Sequence, residues 1–530
     1  MARLKLCSIS MALALLAGAI LSPSAAQGEQ AISASSFTNA IGVNTHFAYG
    51  QETTNVNQTA NFPQINKLLM ALGIQHIRDG LVCGFADNSS GFYDQELQFL
   101  ASNGIHTALN SSPRGDLDAQ TPNMALNSIL SLNATSNVVE SIEGPNELDC
   151  AGDYTYDGNS GFPSNVIAYQ RQLFNAFKGN RKTANLVVIG PSEGKTYGST
   201  GPNQNPLAAG SLYNYCDVGN FHPYCYGGNF ATQHYTYDSI KWYYGQANTP
   251  SVNIDPNSIN IAALPYAFQV NQPPFALYNS SGKMTTARPM YATEKGYFNG
   301  TATQSVSAAT LAKYIPRMFA DDMVAGIART YCYELLDEAI YSTSKGVTTA
   351  ATDPTNCQEN FGLIAVNSNG TLSPKPAYYT LQHMIQLLDD TGTAKSTESL
   401  NYKLSYTPPS AYATADPNYW GIPTTIQHLL LQKSNGMFEL LLWNDVSSAA
   451  IADTSGNALA STARDIAVPK FPLTLTFTTR IKPSVTLYGL NPYGTTLATT
   501  LDTTRLSMVN DQITINVPDY VTIVEITPVP

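Results

Sequence analysis

"VVESIEGPNE", Val138 to Glu147, is the stretch whose reading decides the fold. Its first half is rich in β-branched residues and reads as a strand. Gly144-Pro145 ends the strand, and Asn146-Glu147 follows at once. One carboxylate in a turn is ordinarily solvated surface. It becomes informative if the same strand–turn design recurs along the chain and a second carboxylate occupies a matching place.

The design does recur. Strand-like runs alternate with helix-like runs from about residue 40 to 390. Before the opening stretch come Ala40–Asn44, Ile74–Asp79 and Ile105–Asn110, which makes Val138–Glu147 the fourth strand and its exit. After it come Asn185–Glu193, Tyr215–Tyr224, Arg288–Tyr297 and Gly326–Glu334. Helical patterns lie between them, such as Phe62, Ile65, Leu68, Leu69 and Leu72 on one face with Gly73 as the stop. Ser307 to Ala325 reads as a helix with Pro316 as a kink, and Pro374 to Leu388 as the last helix. Eight such repeats predict an α/β fold, a (β/α)8 TIM barrel. An excursion of about sixty residues between strands six and seven holds Tyr226, Tyr235, Tyr237, Trp242, Tyr243 and Tyr244, either a stacking surface for a ligand or its own small core.

Beyond residue 395 the texture changes. "IQHLLLQK" and "MFELLLWND" flank Ser434-Asn435-Gly436, a hairpin signal. "LTLTFTT", "SVTLYGL" and "ITINV" alternate apolar and polar residues. The expectation is a C-terminal antiparallel β-sandwich over 395–530, packed against a barrel over 27–394, with residues 30–39 a candidate addition to the sandwich.

Arg3 and Lys5, an apolar run from Ile9 to Leu21 and Ser24-Ala25-Ala26 make residues 1–26 read as a signal peptide. The run is short for a membrane span, so export without integral membrane association is expected. Losing Arg3 and Lys5 takes the formal charge from −11 to −13, which argues against a nucleic-acid partner. Six cysteines remain, and an even number in an exported chain suggests disulfides; sequence does not fix the pairing, and local loops Cys216–Cys225 and Cys332–Cys357, which leave Cys83 with Cys150, are the expectation. With no CxxC pair and no HExxH motif, neither zinc nor another cofactor is expected.

Barrel chemistry sits at the C-terminal ends of strands. Those ends supply Arg78-Asp79, Asn110, Asn146-Glu147, Glu193, His222 with Tyr224, Glu294 and Glu334. "YATEKGY" sets Glu294 directly after an apolar strand. Two carboxylates over one cleft suit glycosidic cleavage, in which one protonates the departing oxygen and the other attacks the sugar carbon or activates water.

On these residues the chain resembles a clan A retaining glycoside hydrolase, most of all family 39, and is similar also to families 30, 51 and 79. The resemblance implies Glu147 as acid/base and Glu294 as nucleophile. It implies that Arg78 holds Glu294 ionised, and it matches His222-Pro223-Tyr224 at strand six and "PKPAYYTL" at the last helix. The strand-eight tryptophan of several of these families is absent, with Tyr331, Tyr333 and Glu334 in its place. Beside the resemblance, Asn146 suits a sugar 2-hydroxyl and Tyr224 suits orienting Glu294. Asn44, His46, Asn110 and Glu334 line the sugar subsite or serve the frame. Plainer readings stand next to these: Glu147 as an exposed turn acid, Glu294 paired with Lys295, Arg78 with Asp79, and His222 as a core histidine. Glu143 and Glu193 are weaker acid candidates. The expected partner is a poly- or oligosaccharide. The rivals are a non-catalytic glycan-binding or surface scaffold protein, which has no need of paired glutamates, and a metal-dependent hydrolase using His46, Asp79 and His222.

Overall fold

The computed structural model describes residues 28–48, 58–83, 92–113, 121–148, 155–192, 212–224, 276–278, 284–286, 289–301, 305–338, 352–367, 369, 371–392, 396–406, 425–445, 448–449, 465 and 467–529. The signal-peptide reading, Cys150, Glu193, Cys225 and the aromatic residues of the long excursion lie outside the described residues.

Eight parallel strands form one sheet: β1 (Ile41–Asn44), β2 (His76–Gly80), β3 (His106–Asn110), β4 (Val139–Glu143), β5 (Val187–Ile189), β6 (Gly219–Phe221), β7 (Met290–Lys295) and β8 (Arg329–Cys332). Their order is β6-β7-β8-β1-β2-β3-β4-β5, and a parallel bridge from Ile189 to Val218 brings the two edges together. The fold is therefore the expected (β/α)8 barrel. Among the described residues its helices are α1 (Gln58–Leu72), α2 (Phe92–Ser102), α3 (Pro122–Leu132), α4 (Ser164–Gly179), α5 (Ala308–Ala325) and α6 (Pro376–Leu388). Local chemistry sets their ends. Thr121 and Ser307 cap α3 and α5 by accepting from the backbone N–H groups of Met124 and Thr310. Gly326 closes α5 in the left-handed region at φ 89°. Pro316 sits within α5, which runs on past it.

The C-terminal part is two antiparallel sheets. One holds β9 (Tyr402–Tyr406), β12 (Phe471–Phe477) and β15 (Gln512–Val517). The other holds β10 (Thr425–Gln432), β11 (Phe438–Asp445), β13 (Ser484–Leu490), β14 (Leu501–Ser507) and β16 (Thr522–Ile526), with the short strand Ile32–Ser33 added parallel to β10. Glu29–Gln30 pairs antiparallel with Ser399–Leu400. The β10–β11 hairpin turns at Gly436, whose φ of 87° favours glycine.

The unbroken "LLL" runs now have a cause. The side chains of a strand alternate between two faces, and here both faces are buried. Leu430, Leu440 and Leu442 face the three-stranded sheet. Leu429, Leu431, Leu441 and Trp443 join the core that also holds Ile65, Leu381 and Met384 of the barrel helices. The six-stranded sheet is thus a shared layer between two cores.

Ion pairs cross the same boundary from α5. Arg317 Nη2 donates to Asp445 at 2.7 Å and Lys313 Nζ to Asp519 at 2.8 Å, all four side chains being buried. Tyr314 Oη accepts from the Ser448 amide at 2.8 Å.

One expectation is corrected. Cys332 is buried in β8 while Cys357 is exposed in the turn Cys357–Asn360, and both thiols are free. The strand carries Cys332 into the core while Cys357 stays at the surface, so the two sulfurs do not bond.

Replacing Arg317 with Met should leave Asp445 buried without its cation and lower unfolding stability by about 3–5 kcal/mol. A second change, Asp445→Leu, should restore much of that loss. Denaturant midpoints of the wild type, both single variants and the double variant check this.

Candidate active site

The site forms where β1, β2, β4, β6 and β7 end, and Arg78 of β2 is its centre. Nε and Nη2 of Arg78 donate to Glu143 Oε2 and Oε1 at 2.6 and 2.8 Å. Nη1 donates to Glu294 Oε1 at 2.7 Å and to Asn44 Oδ1 at 3.0 Å. Nη2 also donates to Asn146 Oδ1 at 2.7 Å. Burial alone would lower the pKa of this guanidinium, but the carboxylates of Glu143 and Glu294 outweigh burial and hold it above its ordinary value. Arg78 therefore does not pair with Asp79. Asp79 accepts from the Thr45 hydroxyl and from the Phe47, Ala48 and Gly80 amides, and so pins the β1 exit.

Glu294 receives a second hydrogen bond, from Tyr224 Oη to Oε2 at 2.9 Å. It does not pair with Lys295, whose ammonium is held by Asp322. Glu147 meets His222, with Oε1 and Nδ1 2.6 Å apart, while the other ring nitrogen lies 3.0 Å from the Thr293 hydroxyl. Burial would depress the imidazole pKa, yet the charge of Glu294 and the bond and charge of Glu147 raise it above 6.5. One oxygen of Glu147, one of Glu294 and a nitrogen of His222 all lie within 4.8 Å of one another. The two carboxylates differ in access: the Glu147 side chain is 29% exposed and that of Glu294 10%.

Both strand exits need glycine for space. A Cβ on Gly144 would lie 1.9 Å from Gln170 Oε1, and Gln170 is held in place because its Nε2 donates to the Ile189 and Tyr215 carbonyls. A Cβ on Gly296 would lie 2.0 Å from the Tyr333 carbonyl oxygen. Glu147 itself sits in the left-handed region at φ 49°, costly for a residue with a Cβ, and its amide donates to the Ser192 carbonyl.

The sequence-predicted residues fall into three groups. Arg78, Asn44, Asn146, Glu147, His222, Tyr224 and Glu294 share one hydrogen-bonded site. Within it Asn44 is bound to the frame, since its Nδ2 also donates to the Thr293 carbonyl at 3.0 Å. His46 and Glu334 lie beside it in a cluster of their own, Nδ1 being 2.8 Å from Glu334 Oε2 and 3.3 Å from Glu338 Oε1. Burial pushes the Glu334 carboxyl up to about 8 against the opposing pull of His46. Asn110 ends β3 half-buried, and its side chain makes no hydrogen bond to the Arg78 group. The residue undervalued in sequence is Glu143, completely buried and bonded to Arg78, Asn220 and Thr293. A charge inside a barrel strand that ends in Asn-Glu was the available signal.

Comparison with protein families finds no match, and neither does comparison with curated proteins. Among solved structures the chain is similar to a glucosidase from Croceicoccus marinus, at 12% identity and TM-score 0.47 over 88% of this chain and 92% of that one. It is similar to a beta-glucosidase from Exiguobacterium marinum, at 11% identity and TM-score 0.38 over 66% and 98%. It is similar also to Gas2p from Saccharomyces cerevisiae in complex with laminaritetraose and laminaripentaose, at 12% identity and TM-score 0.35 over 66% and 64%. No helix among the described residues is long and apolar enough to cross a membrane.

The geometry around His222 gives a titration test. Its folded pKa lies above the ordinary 6.5, so the imidazolium contributes stability that is full below that value and is lost as pH rises through the folded one. Glu294→Gln and Glu147→Gln should each lower the His222 pKa, read from its ring resonances by NMR. An unchanged value in both variants would contradict the assigned contacts.

Proposed function

We propose that this chain is an exported retaining glycoside hydrolase that cleaves O-glycosidic bonds of a poly- or oligosaccharide, with Glu147 as acid/base and Glu294 as nucleophile. One observation carries the reading: the two carboxylates end β4 and β7 with oxygens within 4.8 Å of each other. Retention needs carboxyl groups about 5–5.5 Å apart, whereas inversion needs roughly 6.5–9.5 Å to admit a water. The difference in access supports the division of roles. Glu294 is held in place by hydrogen bonds from Arg78 and Tyr224, as an attacking carboxylate must be. Glu147 faces the opening, where a leaving group departs and water arrives.

In the first step Glu147 gives its proton to the glycosidic oxygen as Glu294 bonds to the anomeric carbon and the old C–O bond breaks. In the second, Glu147 takes a proton from water, the water oxygen bonds to the anomeric carbon, and Glu294 leaves as carboxylate. His222 orients Glu147 between these steps. The Asn146 oxygen is engaged by Arg78 and by the Ser192 hydroxyl, at 2.7 and 3.2 Å, so its Nδ2 is the end available to a sugar 2-hydroxyl. The pattern of strand-end residues remains most similar to family 39.

A non-catalytic glycan binder has no use for two carboxylates placed this way. The metal-hydrolase rival loses its ligand set, because the Asp79 oxygens are committed to the β1 exit and His46 and His222 stand in different clusters.

The test is sugar release from plant and microbial polysaccharides and aryl glycosides. Glu147→Gln should lower the rate by about 10²–10⁴-fold on substrates with poor leaving groups. Glu294→Gln should lower it at least as far. Proton NMR of the first product should show the substrate's own anomeric configuration; inverted product, or release that survives both changes, would sink the assignment.

A further inference from the structure

We propose that His46, Glu334 and Glu338 form a binding site for one divalent cation of the zinc or manganese kind, between the exits of β1 and β8 and separate from the Glu147–Glu294 pair. His46 Nδ1 faces two carboxylate oxygens, 2.8 Å from Glu334 and 3.3 Å from Glu338. One proton on Nδ1 cannot serve both oxygens. A cation serves both. Ligand bonds of about 2.0–2.1 Å place neighbouring donor atoms roughly 2.9 Å apart at a right angle and roughly 3.4 Å apart at the tetrahedral angle. The two observed spacings, 2.8 and 3.3 Å, lie close to that range, and all three donor atoms lie within 4.8 Å of one another.

A second observation points to a ligand. Glu334 is 2% exposed, and its other oxygen, Oε1, accepts no hydrogen bond among the described residues. A buried carboxylate oxygen left so is costly, and coordination by both oxygens of Glu334 removes the cost. Charge agrees. With Glu334 ionised as the cation binds, a neutral imidazole and two carboxylates total −2, which one divalent cation cancels. The adjacent Asp337 adds nothing, because Lys375 neutralises it at 2.7 Å. One imidazole and two carboxylates suit zinc or manganese. His46 lies far along the chain from Glu334 and Glu338, which is why no short metal motif announced the site.

The site does not depend on the proposed hydrolysis, but it adjoins that cleft. The Tyr333 ring packs edge-on against His46 with centroids 5.4 Å apart and against Tyr224, the donor to Glu294, at 6.2 Å. A cation here would fix the Tyr333 wall and tie β1 to β8.

The experiment is calorimetric titration of the full chain, stripped with EDTA, with zinc chloride at neutral pH, and a parallel manganese chloride titration followed by electron paramagnetic resonance. One saturable site per chain is expected. Glu338→Gln, a change at a half-buried position, should weaken binding at least tenfold while its metal-free melting temperature stays near that of the wild type. Glu147→Gln should bind as the wild type does. Absence of saturable binding by either cation overturns the proposal. So does loss of binding in Glu147→Gln with retention in Glu338→Gln, which would put the cation at Glu147, His222 and Glu294. Because the readout is binding, an inactive protein leaves the result unaffected.

Discussion

One buried cation organises the mouth of this barrel. The Arg78 guanidinium is a planar fork with donors in fixed directions. Its acceptors come from different strands: Asn44 from β1, Glu143 and Asn146 from the end of β4, and Glu294 from β7. Satisfying all of them fixes the mutual register of those strand ends. The charges make the arrangement exacting. Two buried carboxylates face one guanidinium, so the group carries an excess negative charge, and a charge in a low-dielectric interior must be answered nearby. His222 answers it, which accounts for an imidazole that binds its proton more firmly despite burial. Removing Arg78 would therefore do more than free one glutamate. It would leave Glu143 and Glu294 without the cation that both of them contact.

Much of this was legible in the sequence, for physical reasons that can be named. Strands such as Val139–Glu143 and Met290–Lys295 carry β-branched or apolar runs closed by glycine, and the barrel follows from their alternation with amphipathic helices. Glu147 and Glu294 were readable because strand ends are where a barrel exposes side chains to a cleft. Glu143 was not, because a glutamate within a strand has no partner visible in one dimension; its partner Arg78 lies 65 residues away. The same limit hid the true partners of Arg78 and Lys295, each of which has a plausible partner next to it in sequence and a different one in space. Cys332 and Cys357 failed in the same way. Their separation suited a short loop, but one thiol belongs to the core and the other to the surface.

Glu147 shows what the site demands of the backbone. Its φ of 49° is a conformation glycine adopts freely and a side chain resists. Glycine does occur nearby, at Gly144, where Gln170 leaves no space for a Cβ. At 147 the side chain is retained although the local backbone would favour its loss, and a carboxylate aimed at Glu294 is a sufficient reason.

The sheet shared between two cores bears on how such a chain can change over time. A binding module on a linker can be exchanged or lost without consequence for its neighbour. Here Trp443 and Leu441 complete the barrel's own packing, and α5, which carries Lys313 and Arg317 to the C-terminal sheets, also holds Lys295 of β7 through Asp322. The boundary expected near residue 394 marks a change in the texture of the sequence, while the core runs across it. Recombination that cut there would strand an apolar flank on one product and a half-covered sheet on the other, so the two parts should travel, duplicate and diverge together.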